Sequence, residues 1–256
     1  YGSFEYFLQN NSFYFDYIFL SRYDICNMYR TSVRNISPSS KLIFFTHDIC
    51  HKRLNPNAAN RKIIKTLEMS NIKECDLSII VSFDEIEYLK SENISENKLF
   101  YYPICYEKVQ RNNRLPINNT KGLYFIGSLH TPNVEAINYF LNNIWVQVVK
   151  IDPTITLHII GSCGNTIKNN HKNVKICGRI CDEELDTLLN SMRINIVPLL
   201  SGGGMKGKVL QSFNHGVPVI TTDIGIQGMK LCHERDVIVI DANNSVKCAK
   251  DICNYY

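Results

Sequence analysis

From Gly122 onward the chain alternates short, unbroken apolar runs with amphipathic helical segments, and few architectures accept that pattern. "LYFI" (123–126), "TITLHII" (154–160), "NVKIC" (173–177), "INIVPL" (194–199), "VPVITT" (217–222) and "DVIVID" (236–241) read as strands. A strand that stays apolar through successive positions is buried on both faces, the condition of a parallel strand with helices on either side. Helices fall between the runs. Thr131 and Pro132 have the chemistry of an N-cap and a first helical residue, and Ile137, Phe140, Leu141 and Ile144 then share one face until Asp152 and Pro153 end the pattern. Asp182 is expected to cap a helix with Leu185, Leu188, Leu189 and Met192 on one face, and a third helix opens near Lys206 and ends at Gly216 and Pro218. The expected fold is α/β, with a doubly wound sheet.

The first 120 residues repeat this grammar over less chain. Strands are expected at "FDYIFL" (15–20), "KLIFFTH" (41–47), "DLSIIVS" (76–82) and "KLFYYP" (98–103), with a helix opening at Ser82. Ser82 and Glu85 have capping-box spacing, which gives Glu85 a purely structural task. "EKVQRNNRLPINNT" (107–120) is polar, aperiodic and contains a proline, so it reads as a linker. The expected domains are residues 1–110 and 122–256, joined through 111–121. Four strands fall short of the six-stranded doubly wound form. At roughly 30 residues per strand-helix unit, this predicts an N-terminal domain truncated by about 60 residues.

With 45% hydrophobic and 20% charged residues, the 256-residue chain has the material for packed cores and lies outside the disordered class. Its length is near the ~250–300 residues at which one core divides into two. Net charge is +4 with acids and bases interspersed, so no basic stripe suggests a nucleic-acid partner, and the 14 Tyr and 12 Phe are expected inside. Ten cysteines without a disulfide-scaffold spacing fit a reduced, cytoplasmic setting. Cys177, Cys181, Cys248 and Cys253 lack C-x-x-C spacing and paired histidines, and are read as core cysteines. No apolar run approaches the ~18 residues of a membrane span, which leaves peripheral contact with a membrane open.

"SGGGMKGKVLQSF" (201–213) is the segment with chemistry in it, and it parses in two ways. From Gly202 it reads G-x-x-x-x-G-K, a nucleotide-hydrolase phosphate loop. That loop needs Ser or Thr directly after its lysine to hold magnesium, and Val209 follows Lys208 here. Read instead as Gly202, Gly203 and Gly204 in a turn that opens a helix, it offers backbone N–H groups and a positive dipole end to an anion above the strand ends. Lys208 and Gln211, three apart, share a helical face, which Lys206 joins only if it is still in the loop. Against this stands an ordinary helix start with two solvated lysines, although three consecutive glycines make a poor cap.

"LYFIGSLHTPNVEAINYF", "LHIIGSCG" and "VKICGRICDEELDTLLNSMRINIVPLLSGGGMKGKVLQSFNHGVPVITTDIGIQG" resemble the nucleotide-binding domain of the retaining family-4 glycosyltransferases, whose GT-B fold pairs two Rossmann-like domains. "FDYIFLSRYDI", "KLIFFTHD" and "CDLSIIVSFDEIEYL" are similar to the later part of that family's acceptor domain. The resemblance implies that Gly127 and Ser128 form the turn approaching the donor diphosphate, and that Lys208, with Lys206, neutralises it. It also implies two acids, separated by seven residues, across the glycine loop and its helix. The matching positions are Gly203 and Gln211, so both acids are absent, though family members with a G-x-G-x-[KR]-x-K loop also lack the first. Gln211 can still bond a ribose hydroxyl. His47, in "THD", matches a histidine that faces the donor sugar. Its alternative is a structural histidine beside Asp48, an acid that would orient the ring or cap the next turn. His215, before Gly216, is assigned only a helix C-terminal role.

The implied reaction is retaining transfer of a sugar from a nucleotide-diphosphate donor to a hydroxyl of a saccharide or other acceptor, with no metal or further cofactor. The glycine loop and lysines would stabilise charge on the departing diphosphate. The missing acids and short first half also suit a catalytically inactive GT-B-like binding or scaffolding module, and a sugar-nucleotide epimerase on the same fold is a third reading.

Overall fold

In the first half, β1 (Tyr17–Ser21), β2 (Lys41–Phe45), β3 (Leu77–Ile80) and β4 (Leu99–Tyr101) pair in parallel, in that order. The computed structural model describes residues 3–54, 57–106, 114–168 and 171–256. These divide into two units, one of Tyr1–Ile104 with Gly203–Met205, the other of Cys105–Gly202 with Lys206–Tyr256. Residues 107–113, which hold part of the expected linker, lie outside the described residues.

The helices of the first unit are α1 (Phe4–Asn11), α2 (Tyr23–Ile36), α3 (Cys50–Arg53), α4 (Arg61–Glu74) and α5 (Phe83–Ser91). Leu20, Leu42, Phe44, Ile72, Ile80 and Leu89 form its core, none more than 4% exposed. The expectation that the aromatic residues lie inside is corrected here. Tyr17 and Phe19 stand two apart on edge strand β1 and so point to the same open face, and Phe13 and Tyr14 just before them are 75% and 70% exposed.

The second unit holds a six-stranded parallel sheet of β5 (Leu123–Ile126), β6 (Leu157–Ile160), β7 (Val174–Gly178), β8 (Ile194–Val197), β9 (Val219–Thr221) and β10 (Ile238–Val239). Their spatial order is β10-β9-β8-β5-β6-β7, the order of a doubly wound dinucleotide-binding domain. Successive residues of β5 explain why its run is unbroken. Leu123 and Phe125 enter a core with Ile137, Phe140, Ile144 and Trp145, while Tyr124 enters another with Leu189, Met192 and Val217.

The intervening helices are α6 (Thr131–Tyr139), a π-helical segment (Phe140–Trp145), α7 (Val146–Ile151), α8 (Asp182–Ser191), α9 (Gly207–Asn214), α10 (Asp223–Ile226) and α11 (Ser245–Tyr255). Two caps fall one residue earlier than expected. His130 precedes Thr131, and Cys181 caps α8 in a capping box with Glu184. That position leaves Cys181 exposed, and Cys177 on β7 and Cys253 on α11 are half-buried, so of the four only Cys248 is a core cysteine. Among the described residues no helix is long and apolar enough to cross a membrane.

Candidate functional site

The chain runs β5, β6, β7 toward one side of the second sheet and then returns to β8 on the other side of β5. A crevice forms at such a switch point, above the C-terminal strand ends. A pocket of about 370 Å3 occupies it. β5 contributes Ile126 and leads into Gly127 and Ser128, β6 leads into Gly161 and Ser162, β7 into Arg179, and α9 supplies Lys208 and Gln211.

Two glycines let the strand ends approach. Gly161 has φ +94°, and a Cβ there would stand 2.3 Å from the Gly127 carbonyl oxygen, so neither its conformation nor its space admits a side chain. A Cβ on Gly127 would meet Asn133 Cγ at 3.0 Å. With both absent, the Cys163 N–H reaches the Gly127 oxygen at 3.2 Å and ties the two turns together.

α9 is fixed from below. Ser212, buried on its inner face, receives Asn195 Nδ2 at 2.6 Å and lies 2.8 Å from Tyr124 Oη. Lys208 is thereby aimed at the pocket. Its Nζ donates to Asn133 Oδ1 at 2.7 Å and lies 4.4 Å from the Phe125 ring centroid. Asn133 is held in turn by donating to the Ser128 carbonyl at 3.1 Å. Burial pushes the Lys208 ammonium down to about 8, and the nearby Lys206 charge works in the same direction. Among the described residues no carboxylate lines the pocket, and Arg179 adds a second cation. A half-buried ammonium with no carboxylate lining the pocket beside it, next to a guanidinium, favours an anionic ligand.

Of the residues expected to bind the donor, Gly127, Ser128, Lys208 and Gln211 come together here. Lys206 is the N-cap of α9 and so still belongs to the loop, but it is only 9% exposed, its Cε 3.5 Å from where a Gly202 Cβ would be. Gly202 and Gly204 take φ of 132° and 65°, and neither they, Gly203 nor Lys206 line the pocket. His215 caps the end of α9, with Nδ1 2.9 Å from the Gln211 carbonyl and Nε2 2.8 Å from Asp186.

His47 belongs to the first unit and is not part of this pocket. It follows β2 with φ 58°, exposed, its Nε2 2.5 Å from Ser21 Oγ and its ring stacked on Phe45 at 4.2 Å between centroids. A left-handed histidine is strained by about 1–3 kcal/mol, a state that recurs at functional positions. Asp48 pairs with Arg53 at 2.9 Å.

The capping box expected at Ser82 does not form, and that reading of Glu85 is corrected. Ser82 stands at the N-cap of α5 without a side-chain cap bond, while the Glu85 carboxyl turns inward and accepts from the Ile49 N–H at 2.9 Å. Burial raises it to about 7. The spacing was right, but a tertiary donor took the carboxylate.

Arg179, Asn133, Gly161 and Ser162 were not foreseen. A signal exists in "FIGS" (125–128), "IIGS" (159–162) and "ICGR" (176–179), apolar runs that each stop at a glycine followed by a polar residue.

Residues 120–256 match the family model described as "Glycosyl transferases group 1". An uncharacterised 44.6 kDa protein in the cps region of Klebsiella pneumoniae is 27% identical over 258 aligned residues, covering 94% of this chain and 65% of that protein. Among solved structures, the pneumococcal O-GlcNAc transferase GtfA, in complex with UDP and GlcNAc, superposes with a TM-score of 0.72 at 14% identity, covering 100% of this chain and 54% of its own. TarM, from S. aureus, gives 0.74 at 13% identity, covering 98% and 50%. Anabaena HepE, in complex with UDP, gives 0.73 at 12% identity, covering 98% and 71%. The chain thus spans under two thirds of the curated relative and about half of the first two solved chains. The fold is α/β of the GT-B type, and the chain belongs to the group 1 glycosyltransferases.

Proposed function

We propose that this chain carries the donor-binding half of a retaining glycosyltransferase, which moves a sugar from a nucleotide diphosphate to an acceptor hydroxyl in glycan or glycoconjugate synthesis. The observation that carries the reading is the pocket at the switch point of the second sheet, lined by no carboxylate among the described residues, with Lys208 half-buried in it. UDP, the nucleotide in the GtfA and HepE complexes, is the first donor nucleotide to test.

In this reading the diphosphate lies against Gly127, Ser128 and Lys208, and the ribose against Gln211. As the glycosidic bond breaks, negative charge grows on the departing phosphate, where the Lys208 ammonium and Arg179 guanidinium stabilise it more than they stabilise the ground state. A proton on Lys208 becomes easier to hold as that charge develops. Asn133 keeps the ammonium in place by accepting from it. His47 is assigned to the transferred sugar, and the chemistry is metal-independent. The relative from a cps region supports a glycan as the product.

A second reading, a binding module without turnover, is favoured by Gly203 and Gln211 standing where the resemblance implies acids. Incubation with UDP-, GDP-, ADP- and TDP-sugars, with and without saccharide acceptors, separates the two. Acceptor-dependent release of nucleotide with the anomeric configuration retained supports the transferase. Donor binding without release under any acceptor supports the module. At 100 times the dissociation constant, a bound donor should stabilise its unit by about 2.7 kcal/mol.

A further inference from the structure

The first unit holds a basic pocket of about 470 Å3 that the proposed transfer does not use. Its floor is built on a buried acid and imidazole. Glu68 accepts from the Cys50 and His51 N–H groups at 2.7 and 3.0 Å and bonds His51 Nδ1 at 2.6 Å, and both side chains are at most 2% exposed. His51 Nε2 then meets Tyr88 Oη at 2.7 Å, which fixes the phenol at the pocket.

Cations stand around that phenol. Arg61 Nε donates to the His51 carbonyl at 2.9 Å, an anchor that holds its guanidinium at the pocket. Lys62 and Lys65 line it as well, and Lys52 Nζ lies 4.5 Å from the Tyr88 ring centroid. Among the described residues no carboxylate lines it. Of the acids near it, Glu68 is engaged as above and Glu92 is held by Lys65 at 2.6 Å.

The placement of these cations is unfavourable by itself. Arg61 and Lys62 occupy the first turn of the 14-residue α4, which has no acid in that turn and no side-chain cap from Asn60. Positive side chains at the positive end of a helix dipole repel it, and an anion seated among them removes the repulsion. The Arg61 guanidinium and the Lys62 ammonium at one small pocket match the several oxygens of a phosphate better than a single carboxylate.

We propose that this pocket binds a phosphate group, carried by a soluble phosphorylated sugar or by a lipid headgroup, through Arg61 and Lys62. The inference stands apart from the sugar-transfer reading and is tested in the full chain. Inorganic phosphate is titrated calorimetrically into Lys208→Met, where the second-unit pocket has lost its ammonium, and into the same protein carrying Arg61→Gln and Lys62→Gln. Phosphate is expected to bind the first and to bind the second at least about tenfold more weakly, the scale of one lost hydrogen bond to a charged group. Lys62→Glu, which leaves the Arg61 anchor intact, should weaken binding in the same direction if the pair proves unstable.

Glucose 6-phosphate and cosedimentation with phosphatidylcholine vesicles containing phosphatidic acid then distinguish the sources. Whichever association the substitutions abolish names the carrier. Phosphate bound equally well after these substitutions, or not bound by Lys208→Met at millimolar concentration, overturns the site. UDP binding by the unsubstituted chain is read separately, so a failure here leaves the donor-site reading intact.

Discussion

Lys208 holds a charge against the pull of its surroundings, and a bound diphosphate should reveal it. Burial lowers its ammonium from 10.5 to about 8. A diphosphate beside Nζ favours the protonated form, so its contribution to affinity is present below that value and lost as pH rises through it. With a pKa of about 8, the protonated fraction falls roughly tenfold between about pH 7 and pH 9, equivalent to about 1.4 kcal/mol of binding free energy. The UDP dissociation constant, measured calorimetrically across that interval, is expected to rise about tenfold in the parent. Lys208→Met retains the length of the side chain without the charge, and it should bind more weakly than the parent at neutral pH. Ionisation of the uracil ring at the alkaline end is common to both proteins and cancels in their ratio. A parent-to-variant ratio that stays constant with pH would refute the role given to the ammonium.

Gln211→Leu should weaken UDP binding by about 1–3 kcal/mol, the cost of an unpaired buried hydroxyl, whereas Gln211→Glu should preserve or tighten it. Equal affinity for Gln211→Leu and the parent places the ribose elsewhere. His47→Ala should slow transfer while shifting stability by about 0.5 kcal/mol at most, because the ring is exposed. A large drop in melting temperature would identify the Ser21 and Phe45 contacts as structural. Glu85 sits near 7 in the fold against an ordinary 4.5, so the folded chain binds its proton more tightly than the unfolded one. Stability should therefore fall as pH rises from about 4.5 through about 7, and Glu85→Gln should flatten that part of a melting-temperature profile. An unchanged profile means the carboxyl is hydrated.

The doubly wound second sheet was legible because its strands are buried on both faces. Leu123, Tyr124 and Phe125 must all be apolar when alternate residues enter different cores, and that leaves an unbroken run in the sequence. Lys208 and Gln211 were legible for a local reason, since positions three apart on one short helix share a face. Asn133 and Arg179 were not, because they come from segments 46 residues apart, at the start of α6 and the end of β7, and only the strand order unites them. Glu85 shows the limit of local pattern from the other side. Its spacing from Ser82 fits a capping box, yet the Ile49 N–H competes for the carboxylate from another part of the fold. Cap positions at His130 and Cys181 missed by one residue, since neither side chain is among the strong capping types that mark a boundary in sequence.

The most direct measurement is a crystal structure of the chain with UDP. The diphosphate is expected within about 2.7–3.2 Å of Lys208 Nζ, beside Gly127 and Ser128, with the ribose reaching Gln211. A nucleotide seated elsewhere would contradict the donor site. One such place is the pocket of about 310 Å3 at the opposite strand ends, lined by Arg193, Pro218 and Tyr255.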